Sequence, residues 1–269
     1  YCKAEPVFID SEKDTWNMDP VLLEEAIKDF LKTGKKPAAI IIVHLYGMPA
    51  KMDDIMRISS EYGIPVIEDA AEALGSSYFN KKCGSFGEVG ILSFNGNKII
   101  TTSGGGAFLS NDAKKVQLAR HWSAQSKEPA PYYLHKETGY NYRMSNVCAG
   151  IGRGQMEVLN QRVEKRRRVF ENYKSELGDL EGLIFLDEPT AGLSFEETKK
   201  TGQIIQDLNK QGMTFVIVEH DMEILKQIAK SVSVLHLGKL FFEGSPKEVL
   251  SNKQVTNIYS SLVSQKRFL

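Results

Sequence analysis

The chain has 269 residues, of which 42% are hydrophobic and 25% are charged, a composition typical of globular proteins. Lys plus Arg and Asp plus Glu balance at 34 each, so net charge gives no reason to expect nucleic acid or acidic lipid as a partner. The three cysteines lack disulfide or metal-ligand spacing, and no apolar run reaches the length of a membrane-spanning helix, which together predict a cytoplasmic protein.

The first half of the sequence alternates apolar runs with amphipathic segments. The predicted strands are residues 6–10, 38–43, 65–67 and 89–94. A helix is expected to begin with Asp19 as N-cap and Pro20 at its first position, and a second helix is expected over about 53–62. The run at 38–43 is almost wholly apolar, as in strands buried on both faces. This alternation predicts an α/β fold with a mostly parallel sheet and helices on both faces.

Two ionisable residues follow the predicted strands. Asp69 comes after residues 65–67, and Lys98 follows residues 89–94 closely. Ligands of parallel sheets bind beyond the carboxyl ends of the strands, so both side chains are expected at one edge of the sheet. Pyridoxal phosphate (PLP) chemistry needs such a pair: an amine that bonds the cofactor aldehyde and a carboxylate that keeps the pyridine nitrogen protonated. On spacing alone, a capping carboxylate and a solvated lysine explain the two residues more simply.

Four longer segments extend this pattern. They are VHLYG at 43–47, EDAA at 68–71, SFNGNK at 93–98 and GYNYRMS at 139–145. Together they resemble the nucleotide-sugar aminotransferases of the DegT/DnrJ/StrS type, which have the fold type I PLP architecture, and the resemblance runs from residue 1 to about 183. Around 121–124 and 132–142 the sequence is most similar to enzymes that aminate C4 of a UDP-linked 4-keto-6-deoxy amino sugar in bacillosamine or exopolysaccharide pathways.

The resemblance implies a role for each of five residues. Lys98 would bond PLP and carry the proton between the amino donor and C4 of the sugar. Asp69 would pair with the pyridine nitrogen, and Glu72 would lie near the phenolic oxygen. Ser93 would contact the cofactor phosphate, and Asn141 would reach the phosphate of a neighbouring subunit. The implied activity is transfer of an amino group, normally from glutamate, by a homodimer.

Other polar features are interpreted as structural. His44, His121 and His135 lack the spacing of metal ligands and are expected to pack in the core or in a substrate loop. The basic run at 165–168 lies in a helical stretch predicted over 145–177. It is interpreted as a solvated helix face rather than a nucleic-acid patch.

The sequence changes character at residues 183–193, which read LIFLDEPTAGL. Four apolar residues followed by Asp187 and Glu188 predict a strand that ends in two acids. In the Walker B motif the first such acid holds Mg²⁺ and the second polarises the attacking water. A helix and a strand at 214–218 follow, and His220 comes soon after. This order resembles the C-terminal half of ABC transporter ATPases, especially those of branched-chain amino acid and urea uptake.

The second resemblance implies an Mg²⁺ site at Asp187, a catalytic base at Glu188 and a γ-phosphate sensor at His220. These residues would belong to a partial P-loop NTPase-like α/β segment over 184–269, with ATP and Mg²⁺ as ligands and a membrane permease as partner. No G-x-x-x-x-G-K-[ST] loop exists in the chain, and the ATPase signature is absent before residue 183. ATP hydrolysis is therefore not expected.

Three hypotheses remain for the joined chain. In the first, the chain acts as an aminotransferase through a partial domain at residues 1–183. In the second, residues 184–269 act as part of the ATP-binding subunit of an importer. In the third, the whole chain is a non-functional fusion or an assembly artefact. Both families share the pattern Phe-Leu-x-Glu-Pro at the join, so a crossover there would produce a chimera of two fragments. The first resemblance also implies that the family's phosphate-binding turn and ring-stacking aromatic residue precede residue 1.

Overall fold

A computed structural model describes residues 2–178 and 180–258. The chain divides into two compact units, Tyr1–Glu171 and Asn172–Leu269. This division lies earlier in the chain than the domain boundary predicted at residue 183, which stays a prediction. Within the described ranges, the search for a helix with the length and apolarity to cross a bilayer finds none.

The first unit is built on a four-stranded sheet. The strands of this unit are β1 (Ile40–Val43), β2 (Val66–Asp69), β3 (Ser77–Tyr78), β4 (Lys81–Lys82), β5 (Val89–Ser93) and β6 (Gly106–Leu109); β3 and β4 form a separate pair. Its helices are α1 (Pro20–Lys32), α2 (Met52–Tyr62), α3 (Ala113–Ser123), α4 (Asn146–Glu157) and α5 (Leu159–Leu177), which crosses into the second unit. The sheet order is β1-β2-β5-β6, with the first two pairings parallel and the last antiparallel. The predicted mostly parallel sheet is confirmed.

The second unit contains a parallel strand pair and an antiparallel hairpin. Its strands are β7 (Leu183–Asp187), β8 (Thr214–Val218), β9 (Val232–His236) and β10 (Lys239–Gly244), and its further helices are α6 (Phe195–Lys210), α7 (Met222–Ile228) and α8 (Pro246–Ser251). β7 pairs with β8 in parallel, and β9 pairs with β10 in antiparallel. The strand predicted at 214–218 is confirmed.

Local signals fix the ends of the first helices. The Asp19 side chain accepts hydrogen bonds from the first backbone amides of α1, and Pro20 occupies its first position, where the missing N–H costs nothing. α2 ends at Gly63, whose φ of 59° is left-handed, a conformation in which glycine pays no steric penalty. α1 therefore begins, and α2 ends, where the sequence predicts.

Two predictions that depend on neighbouring elements are wrong. Residues 6–10 form no strand, and Phe8 is 90% exposed, because β-branched residues make a strand only where another strand pairs with them. β1 is not buried on both faces: Ile40 and Ile42 are buried, but Ile41 is 59% and Val43 is 46% exposed. The predicted cover of helices on both sheet faces is therefore missing at β1.

The core explains this one-sided burial. Leu23 and Ile27 of α1 and Ile55 and Ile58 of α2 pack in one cluster with the buried residues of β1. On the other face, a row of paired positions runs from Val43 through β2 and β5 to β6. The aliphatic and aromatic side chains of that row are exposed.

Glu68 lies on the core face of β2 and is fully buried. Its carboxylate lies 3.1 Å from His44 Nε2 and accepts backbone N–H groups from Gly84, Phe86 and Gly87. Burial by itself raises the pKa of the Glu68 carboxyl, but these hydrogen bonds outweigh burial and hold the pKa below its ordinary value. The carboxylate therefore stays ionised while it fixes the turn that precedes β5.

The tautomer of His44 follows from its two neighbours. The N–H of Ala50 donates to His44 Nδ1 at 3.2 Å, so Nδ1 carries no proton. Nε2 then holds the ring proton and donates it to Glu68. His44 is thus the packing residue that its sequence context indicates, with both ring nitrogens hydrogen-bonded.

Replacing Glu68 with Gln is expected to lower the free energy of unfolding at neutral pH by about 2 kcal/mol or more, because the amide NH₂ would face backbone donors. Urea denaturation measures this change. Glu61→Gln is the control, since its carboxylate is an exposed i,i+4 partner of Arg57. It is expected to change the free energy by less than about 0.5 kcal/mol, and equal losses in both variants would contradict the role of Glu68.

The same difference has a defined pH dependence. A carboxyl whose pKa is lower in the folded state stabilises the fold fully above its unfolded pKa and loses that contribution as pH falls through the folded pKa. The gap between wild type and Glu68→Gln is therefore expected to be complete above pH 4.5 and to narrow below it. A gap that stays constant into acid pH would show that the ionised carboxylate does not matter.

Candidate active site

A cavity of about 310 Å³ opens in the first unit beyond the carboxyl ends of its parallel strands. Its lining includes Tyr46 and Gly47 after β1, Glu72 after β2, Ser93 at the end of β5, and Lys98. This is the edge of a parallel sheet where ligands bind, and the volume lies at the lower end of the range for small-molecule sites. Three of the predicted cofactor residues thus share one cavity.

Lys98 and Glu72 form an ion pair in this cavity. Lys98 Nζ lies 3.1 Å from Glu72 Oε1, and the lysine side chain is only 17% exposed. The other carboxylate oxygen of Glu72 accepts the backbone N–H of Tyr46 at 2.9 Å. Glu72 therefore connects the lysine to the turn that follows β1, and the amine has a fixed position without any ligand.

The turn after β5 brings the lysine back toward the strand end. Ser93 closes β5, and its hydroxyl accepts the N–H of Asn95 at 3.4 Å. The Lys98 N–H then donates to the Asn95 carbonyl at 3.1 Å. Ser93 and Lys98 consequently present a hydroxyl and an amine to the same cavity.

Asp69 is not part of the described lining of this cavity. It is the last residue of β2, is partly exposed, and caps the following turn by accepting the Ala71 N–H at 3.1 Å. Successive strand residues point to opposite faces, so its side chain lies on the face opposite buried Glu68. The predicted contact with a pyridine nitrogen stays a prediction.

Asn141 lies outside the described lining of the cavity as well. It forms an isolated antiparallel bridge with Ala124, just after α3. Asn141 and Lys98 therefore do not share the described lining of this cavity. The expected role of Asn141 toward a neighbouring subunit stays a prediction.

Two glycines let the walls of the cavity approach each other. A Cβ on Gly47 would lie 2.9 Å from the backbone oxygen of Glu72, and a Cβ on Gly75 would lie 2.6 Å from a methyl group of Val163. Both glycines also have left-handed φ values, of 80° and 99°, which side chains other than glycine adopt at a cost. Any other residue at either position would push the walls apart.

Sequence reasoning missed Arg166 and Arg167. Both were expected on a solvated helix face, and both are exposed as predicted. They also line the cavity, together with Val163. The three residues are spaced i, i+3 and i+4, which places them on one face of α5. The spacing relative to Val163 is the sequence signal that could have identified the two arginines.

In the second unit, the acids and the histidine of the predicted ATPase motifs lie at one strand edge. Asp187 ends β7, and Glu188 follows in a left-handed conformation with its N–H bonded to the Val218 carbonyl. His220 Nδ1 lies 3.3 Å from Glu188 Oε1. The parallel pairing of β7 with β8 therefore brings the three predicted nucleotide residues near each other, and their roles stay predictions.

Glu219 was also missed. Its side chain is 1% exposed, and the Thr190 hydroxyl donates to it at 2.8 Å. Burial raises the pKa of Glu219, but hydrogen bonds from two backbone amides and Thr190 bring it below the ordinary value. Across residues 2–178 and 180–258, no group of three or more His, Cys, Asp or Glu side chains is arranged to hold a metal ion, so the Mg²⁺ site at Asp187 stays a prediction.

Comparisons with known proteins cover most of the chain. The sequence profile of the DegT/DnrJ/EryC1/StrS aminotransferase family matches residues 1–230. EpsN of Bacillus subtilis, which carries the provisional name of a pyridoxal phosphate-dependent aminotransferase, is 56% identical over 194 residues, or 72% of this chain and 50% of EpsN. GDP-perosamine synthase of Escherichia coli O157:H7 is 38% identical over 180 residues, or 67% of this chain and 48% of the synthase.

A solved structure agrees with these sequence matches. The crystal structure of a DegT DnrJ EryC1 StrS aminotransferase from Brucella abortus has a TM-score of 0.62 and 35% identity, covering 66% of this chain and 48% of that one. This structural similarity supports the fold type I architecture that the sequence resemblance implies.

The extent of these matches bears on the predicted chimera. The chain spans about half the length of the curated relatives it matches. The family profile continues past the boundary predicted at 183 to residue 230, and the comparisons lend no support to an ATPase segment. From the profile match and the identity to its relatives, the chain belongs to the DegT/DnrJ/EryC1/StrS aminotransferase family.

Proposed function

We propose that this chain takes part in the PLP-dependent transfer of an amino group to a nucleotide sugar. The observation that carries the proposal is the partly enclosed Lys98 amine, held 3.1 Å from Glu72 in a cavity beyond the carboxyl ends of the strands. Membership of the family supports the reaction class. The finer statement, amination of C4 of a UDP-linked 4-keto-6-deoxy amino sugar with glutamate as donor, rests on the sequence around 121–124 and 132–142.

The residues in the cavity fit PLP chemically. An aldehyde needs a nearby amine, which Lys98 supplies, and a phosphate needs hydrogen-bond donors, of which the Ser93 hydroxyl is one. A pyridine nitrogen needs a carboxylate, and Asp69 ends the strand between β1 and β5. When bound, PLP would act as the electron sink for the substrate carbon that loses or gains a proton.

The protein's own contribution is positioning and proton transfer. Glu72 holds the Lys98 amine in place through their ion pair. Released from Glu72 as the neutral amine, Lys98 Nζ would take a proton from the carbon of the amino donor and return it to the sugar carbon. Tyr46 limits the movement of Glu72 through its backbone N–H, so the proton carrier starts from a defined position.

Replacing Lys98 with Ala is expected to abolish the yellow colour that the purified chain acquires with PLP. The reason is that the described lining of the cavity contains no other lysine that could bond the cofactor aldehyde. Absorbance spectroscopy measures the colour. Borohydride reduction and peptide mass spectrometry are expected to place the cofactor on the wild-type peptide that contains Lys98.

The exposed Lys35 supplies the matched control. Lys35→Ala is expected to keep the wild-type spectrum. Colour that survives in Lys98→Ala, or cofactor found on another peptide, would remove Lys98 from the proposed role.

A homodimer is part of the proposal, with Asn141 serving the cavity of the partner subunit. Light scattering is expected to give twice the 30.1 kDa mass of one chain. Asn141→Ala alone is expected to weaken PLP binding, and a mixture of the Asn141→Ala and Lys98→Ala chains is expected to regain one intact site per mixed dimer. A monomer at every concentration, or a mixture no better than its components, would reject this arrangement.

A second candidate function is nucleotide binding by a segment over 184–269. The contact between His220 and Glu188 at the ends of β8 and β7 favours it, and Ser194, where many ATPases of this type carry Asp, is the capping residue of α6. The match of the aminotransferase profile through residue 230 opposes it. The third hypothesis, a non-functional fusion, predicts neither activity.

Calorimetric titration with Mg·ATP separates these alternatives. If the segment is ATPase-like, binding is expected to be measurable and to weaken about tenfold in His220→Ala, which loses a hydrogen bond to a charged phosphate. His236→Ala is the control, because His236 is exposed on β9. A flat titration of the wild-type chain would exclude nucleotide binding, and the PLP spectrum would then separate an aminotransferase from a non-functional fusion.

A further inference from the structure

The inner face of α5 places two cations on the candidate active-site cavity. Val163, Arg166 and Arg167 line the cavity at spacing i, i+3 and i+4 and so share one helix face. Val163 fixes the orientation of this face, because its methyl group would lie only 2.6 Å from a Cβ added to Gly75. The Val163 side chain therefore packs directly against the backbone of the turn after β2. The two arginines, one turn further along the same helix face, line the cavity.

The charge balance of the cavity is positive. The ionisable acids and bases of its lining are Glu72, Lys98, Arg166 and Arg167. Glu72 pairs with Lys98, which leaves the two guanidinium groups without a compensating carboxylate in the lining. Within residues 2–178 and 180–258 neither arginine forms an ion pair, so both keep their N–H donors available to an anion.

We propose that Arg166 and Arg167 form a phosphate-binding subsite of this cavity. Each guanidinium group can donate a pair of hydrogen bonds to phosphate oxygens, and both arginines line the cavity. The inference rests on the proposed function, which supplies two sources of phosphate: the phosphate of PLP and the diphosphate of the nucleotide sugar. Both would meet the same donors, and binding experiments distinguish them.

The test measures the affinities of the full chain for PLP, UDP, GDP and inorganic pyrophosphate by calorimetry. Arg166→Gln and Arg167→Gln are each expected to weaken binding of the recognised phosphate by about tenfold or more, since each removes a charge-assisted hydrogen bond. The double variant is expected to lose more than either single one and to show a smaller dependence on salt.

Arg168→Gln is the matched control. Arg168 lies about 140° around the helix from Val163 at 100° per residue, so it faces away from the cavity, and it is also an exposed arginine. It is expected to keep wild-type affinities. The urea midpoints of all variants are expected to match that of the wild-type chain, because Arg166, Arg167 and Arg168 are exposed.

The pattern of losses identifies the phosphate. Loss of UDP, GDP and pyrophosphate binding with unchanged PLP binding assigns the arginines to the nucleotide sugar. Loss of PLP binding alone assigns them to the cofactor. Unchanged affinities in the double variant, or an equal loss in Arg168→Gln, would overturn the subsite.

The subsite and the proposed function fail in different ways. A wild-type chain that turns yellow with PLP through Lys98, but whose double arginine variant binds every probe normally, keeps the aminotransferase proposal and rejects the subsite. A wild-type chain that binds UDP through the arginines, but takes up no PLP, keeps the subsite and rejects the aminotransferase proposal.

Discussion

The buried carboxylate of Glu68 accepts hydrogen bonds from two separate turns of the first unit. One turn supplies the amides of residues 84, 86 and 87, and the other supplies His44, whose second nitrogen accepts from Ala50. The His44 turn continues into Tyr46, which donates to Glu72, the partner of Lys98. Because each contact constrains the next, the position of the cavity lysine depends on a carboxylate in the core that never reaches the cavity.

The cavity also depends on how closely its walls can approach. Gly47 allows the turn after β1 to lie against the backbone of Glu72, and the Ser76 hydroxyl donates to the Gly47 carbonyl at 2.7 Å. Gly75 allows α5 to lie against the turn after β2. These two close approaches bring the walls of the cavity together at the edge of the sheet.

Features that depend on residues close together in the sequence could be predicted, whereas features that depend on distant elements could not. The start of α1 at Asp19 and the end of α2 at Gly63 were predictable, because caps act within one helical turn. The burial of β1 was not, since it depends on which elements cover each face. The same holds in the site: Lys98 could be proposed from its motif, whereas Arg166 becomes a cavity residue only once α5 has packed on Gly75.

The second unit shows why architecture alone cannot assign a function to residues 184–258. A parallel strand pair joined by a helix, as in β7, α6 and β8, occurs in many unrelated α/β proteins. The family profile matches part of this segment, yet the profile gives no role to the contact between His220 and Glu188. A left-handed conformation at a non-glycine residue costs conformational energy, but it also occurs at Trp16, Phe79 and Leu237, so at Glu188 it does not by itself indicate a binding site. Any function of this segment therefore has to be tested at its side chains, beginning with Glu188 and His220, because the arrangement of the strands alone does not identify one.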